Sequence, residues 1–126
     1  MINGAHFLLY SQKPEADRAF LRDVLEFESV DAGQGWLIFA LPPAEIAVHP
    51  ASEDSGAPTV EDGGVWTAFY LMCEDLPATM KRLQAKKVKF GAVNERPWGT
   101  VTSFRLPSGG DIGLYQPKHP TAVKLR

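Results

Sequence analysis

One strand-turn-strand phrase occurs twice in this chain, half its length apart, and that recurrence limits the possible folds more than any other feature. Residues 38–50 read IFALPPAEIAVHP and residues 103–117 read SFRLPSGGDIGLYQP. In both, an apolar stretch reaches Leu-Pro, crosses a short turn, and resumes with an acidic residue, Ile, a very small residue and another aliphatic. The offset of about 65 residues predicts an internally duplicated domain. A duplicated half-domain builds its working site where the halves meet.

Hydrophobic residues are 44% of the 126, enough for one compact core and too many for a disordered chain. We therefore expect a single domain over 1–126: a first module at about 3–50, a linker at 51–64, a second module at about 65–117 and a tail at 118–126. The 13 Lys and Arg against 15 Asp and Glu are scattered, which excludes the basic footprint of a nucleic-acid binder. The longest apolar runs, 36–41 and 68–73, are strand-sized, and no basic region followed by an apolar stretch opens the chain. The expectation is a soluble cytoplasmic protein with no membrane partner. The lone Cys73 forms no internal disulfide, which suits a reducing compartment.

Residues 4–11 read as a strand covered on both faces. Pro14 stands at a first helical position, and Ala16, Ala19, Phe20, Val24 and Phe27 recur at helical steps. Short turn-bounded runs at 28–32, 36–41 and 45–49 read as strands. The segment 51–64, rich in Ser, Gly, Pro, Asp and Glu, is a linker by composition. The second half repeats the order. A strand at 65–73 is followed by Asp75, placed to cap a helix whose face is spaced by Met80, Leu83 and Lys87, with Lys81, Arg82, Lys86 and Lys87 toward its negative end. Runs at 90–93, 100–106 and 111–115 complete it. The tail shows no pattern: it is either loose or packed on a neighbouring subunit, and nothing in the sequence fixes the geometry of its His119.

The two strand-helix-strand-strand-strand modules, AFLRDVLEF after the first strand, EDL opening the second helix, PWGT before a strand and LPSGGDIGLYQP near the end together resemble the vicinal oxygen chelate superfamily. That superfamily includes glyoxalase I, extradiol dioxygenases, fosfomycin resistance enzymes and bleomycin resistance proteins. The resemblance runs from about residue 6 to about residue 117. It implies an α+β fold of two tandem βαβββ modules, their curled sheets forming a cup with the helices outside, and commonly a homodimer made by exchanging modules or by packing intact cups.

The resemblance also implies four corners where metal-dependent members carry ligands, on the first and last strands of each module. Here these are His6, Ala47, Ala68 and Gly113. Three lack a donor atom, and one imidazole does not hold a divalent ion against water, so no metal and no cofactor is expected. A shifted site from His6, His49, Glu45 and Asp111 is the alternative, since residues two apart share a strand face.

The same parity places Leu8, Tyr10, His49, Trp66, Tyr70, Met72 and Tyr115 on the inner surface with the four corners, and turns Phe7, Leu9, Phe69, Leu71 and Cys73 to the helices. Small residues amid aromatics suit a flat or partly apolar small molecule, as in the bleomycin-resistance-like branch; the same stripe also serves as plain core packing. The catalytic alternative is an isomerase, lyase or dioxygenase using His6 or His49 as base, with Glu45 or a recruited metal. Trp36 and Trp98 are either rim residues or loop packing. Glu95 and Arg96 are either an exposed ion pair or, for Arg96, a contact to a ligand carboxylate or phosphate.

Overall fold

The computed structural model describes residues 6–48 and 67–124. Helix α1 spans Pro14–Asp23 and opens on the proline, whose missing N–H costs nothing in a first turn. A hairpin follows, β1 Ser29–Asp31 against β2 Leu37–Phe39, antiparallel, with Gly33 and Gly35 at positive φ in its turn. The second half is a complete βαβββ unit. It comprises β3 Tyr70–Met72, α2 Leu76–Gln84, β4 Asn94–Arg96, β5 Gly99–Arg105 and β6 Asp111–Pro117, and its sheet has the order β3-β6-β5-β4. The β3–β6 pair is parallel and the others antiparallel. Asp75 caps α2 as its position implies, accepting from the Ala78 N–H at 3.0 Å.

The core lies on one face of this sheet. Phe104, Ile112, Leu114, Leu106, Leu76 and Val88 are buried there, and Phe69, Leu71 and Cys73 pack against them, as parity predicts. Module one contributes Phe20, Val24 and Leu25 from α1 and its end. Both helices thus share the second module's sheet, with Phe20 stacked on Phe104 at 5.9 Å between ring centroids. The buried Asp17 fastens α1 to the β5–β6 turn, accepting from the Ser108 N–H at 3.0 Å and from its hydroxyl. At the far end, Lys86 donates to the carbonyls of Asp23 and Val24, and Lys86 and Arg82 pair with Glu26. Lys87 does not continue the α2 face: it follows the helix at a φ of 69°, where the chain turns back.

The first module departs from the repeat. Residues 6–11 and 45–48 belong to no helix or strand, and Phe7 and Leu9 are half-exposed rather than turned to the helices. A chemical difference between the two phrases accompanies this. The β5–β6 turn closes through Leu106 N–H to Gly110 O and Gly109 N–H to Leu106 O, with Gly109 at a φ of 103°. The first phrase is one residue shorter there and has Pro43 and Ala44 in place of Ser and the glycines. It therefore has neither the left-handed glycine nor the serine that takes up Asp17. In the second module the strand predicted at 90–93 starts later: Phe90 forms only an isolated bridge to Phe104, and β4 begins at Asn94. The linker 51–64 lies outside the described residues. No helix among them is long and apolar enough to cross a membrane.

Candidate functional site

On the face of the sheet away from the helices, register aligns Ser103 with Gly113, Val101 with Tyr115, and Asn94 with Val101. Parallel pairing sets Tyr70 beside Gly113 and Met72 beside Tyr115. Gly113 has a steric role: a Cβ there would meet the Tyr70 ring head on. The ring therefore lies over the glycine, in the space any longer side chain at 113 would need.

A cleft of about 510 Å³ opens beside this ring, bordered by Leu8, Ala68, Tyr70, Asn94, Ser103 and Gly113 among others. Its walls are mostly apolar, with the Asn94 amide, the Ser103 hydroxyl and the Asp111 carboxylate as polar handles; Asp111 is already paired with Arg105 at 3.1 Å. Tyr70 also belongs to an aromatic cluster. Trp98, Tyr70 and Tyr115 meet edge to face in all three pairings, with centroids 5.3 to 6.2 Å apart. Trp98 and Tyr70 remain 41% and 47% exposed. Burial pushes the Tyr115 phenol upward in pKa, and the nearby Glu45 carboxylate adds to this. Burial likewise raises the Cys73 thiol, which donates to the Tyr115 carbonyl and faces away from the cleft.

Of the predicted site residues, Leu8, Ala68, Tyr70 and Gly113 come together at the cleft, and Tyr115 touches Tyr70. His6, Tyr10 and Ala47 are exposed and border no part of it. His49 and Trp66 lie outside the described residues. Glu45 accepts from the Ala122 N–H at 2.8 Å. No three His, Cys, Asp or Glu side chains among the described residues converge as a metal group would. Trp36 sits on α1, with the Arg18 guanidinium 4.9 Å from its ring centroid, whereas Trp98 joins the inner aromatic cluster. Glu95 pairs with Lys118 at 2.6 Å, not with its neighbour Arg96.

The tail is the part the sequence reading missed. It packs on its own chain: Lys118 N–H donates to Trp98 O, His119 bonds to Tyr115, and Ala122 reaches Glu45. Nothing in the pattern of 118–126 signals these contacts: two run to residues distant in sequence, and the third, four residues back, depends on how the chain bends after β6.

No family model and no curated protein matches the sequence. Solved structures do match the fold. The antibiotic-binding protein TnmS3 from Streptomyces sp. CB03234 superposes with a TM-score of 0.59 at 24% identity, covering 94% of this chain and 100% of that one. Lactoylglutathione lyase from Agrobacterium tumefaciens gives 0.62 at 20%, over 90% of this chain and 92% of that one. A glyoxalase/bleomycin resistance protein from the same Streptomyces strain gives 0.53 at 25%, over 84% and 92%. The chain has the vicinal oxygen chelate fold. Beside Gly113, the Tyr70 ring takes the space that a side chain would need.

Proposed function

We infer that this protein binds a small, partly aromatic molecule in the cleft beside Tyr70 and does so without a chelated metal. The observation that carries the reading is the Tyr70 ring seated over Gly113. A donor side chain at 113 cannot enter without expelling that ring, so the residues present do not suit a chelated ion. What the corner has in place of a ligand is an aromatic wall beside a cleft with a few polar handles, the composition of a small-molecule site. That a fold neighbour is an antibiotic-binding protein is consistent with this reading. The catalytic alternative draws no support from His6, which is exposed and off the cleft. Thermal-shift screening of planar aromatic compounds in the presence of a chelator tests the reading.

We further propose a homodimer in the cytoplasm. Tyr10 and Val48 are each 94% exposed and Ile46 82%, and near Tyr10 in sequence Leu8 is 60% and Phe7 48% exposed. So much apolar surface on two segments outside any strand calls for cover, and a second copy of this chain provides it.

A further inference from the structure

Tyr115 has an unusual hydrogen-bonding environment. Its hydroxyl lies 3.2 Å from Nε2 of His119, whose imidazole tilts over the phenol ring at 6.0 Å and 34°. The other imidazole nitrogen, Nδ1, is 2.8 Å from the Pro120 carbonyl oxygen. A carbonyl oxygen only accepts, so Nδ1 carries the hydrogen. In the neutral ring Nε2 then holds only a lone pair, and the Tyr115 hydroxyl must donate to it. The phenol's single proton is thereby committed, and its oxygen is left with acceptor capacity alone. The tail that holds His119 is pinned on both sides: Lys118 Nζ on Glu95, Lys118 N–H on the Trp98 carbonyl, and Ala122 N–H on Glu45.

The geometry points to Tyr115 as a specificity-determining residue that accepts a hydrogen bond from the guest, with His119 as the positioning residue that removes its power to donate. The guest class follows: a planar aromatic carrying a hydroxyl or N–H on its edge, in preference to the same ring system bearing only acceptors. A guest in the cleft that stacks on Tyr70 and extends past its ring meets Tyr115, whose centroid is 5.7 Å from that of Tyr70. Glu45, close enough to act on the phenol, adds a field that also favours donors. This inference rests on the aromatic-binding reading above.

Calorimetric titration of the full chain with 2-naphthol and 2-methoxynaphthalene tests it, since the two differ at the donor and little in shape. The naphthol is expected to bind about tenfold tighter. In His119→Phe, which keeps a ring over the phenol but frees its proton, the ratio is expected to fall to about one or below, because Tyr115 can then donate to the ether oxygen. Equal affinities in the native protein, or an unchanged ratio in a folded His119→Phe, overturn the donor assignment and leave the binding reading standing. Heat from neither compound overturns both. Should His119→Phe fail to fold, Tyr115→Phe replaces it, with the same loss of preference expected; a preference retained there overturns the assignment.

Discussion

Gly113 and Tyr70 are coupled through the space one lacks and the other occupies. Adding a single methyl at 113 drives the Tyr70 ring off its seat, and overpacking of this kind costs about 1–3 kcal/mol. Gly113→Ala is therefore expected to lower the melting temperature and weaken guest binding, while Gly113→Ala combined with Tyr70→Ala recovers most of the stability. A double-mutant cycle measures this coupling, and additive losses would show that the two side chains do not compete for the space. Strand parity made the shared face of Tyr70, Gly113 and Tyr115 legible in the sequence. It did not reveal the ring over the glycine, which is a matter of rotamer. Asp17 was hidden for a different reason: an acidic residue among apolar helical positions reads as solvent-facing, and the partner that buries it, Ser108, is 91 residues away.

The helices and the tail are fastened by carboxylates whose titration is shifted. Hydrogen bonding from Lys86, with the charges of Lys86 and Arg82, holds the Glu26 carboxyl below its ordinary value, and Lys118 with Thr100 does the same for Glu95. A carboxyl with a depressed folded-state pKa stabilises above its unfolded value and ceases to do so as pH falls through the folded one. Stability is thus expected to be level above the ordinary glutamate value of 4.5 and to decline below it, with the tail loosening as Glu95 protonates. Melting curves between about pH 7 and pH 3, with the Trp98 emission as a local reporter of the tail, check this. Both contacts are exposed, so added salt should blunt the effect. Helix positions and the β5 and β6 strands were readable from periodicity and from Pro14 and Asp75. That 6–11 and 45–48 form no strand among the described residues was not, because an apolar run predicts a strand without naming the edge it pairs with.

At the scale of the whole molecule the packing is one-sided. Among the described residues every buried hydrophobic residue of the core belongs to the second half, and the first half reaches that core mainly through α1. The duplication promised two equal modules, yet among the described residues only one forms a full sheet. A second copy that covers 6–10 and 46–48 would restore the balance, and light scattering is expected to give twice the 13.8 kDa chain mass. A mass of one chain would remove the dimer and leave the cleft to a single copy. The proposed binding of an aromatic guest in this cleft needs no metal. Its most direct test is the melting temperature of the protein in excess EDTA with planar aromatic compounds added. A compound at about a hundred times its dissociation constant should contribute about 2.7 kcal/mol and raise the midpoint by several degrees, equally with and without the chelator. Stabilisation that disappears with EDTA and returns with a divalent ion would contradict it.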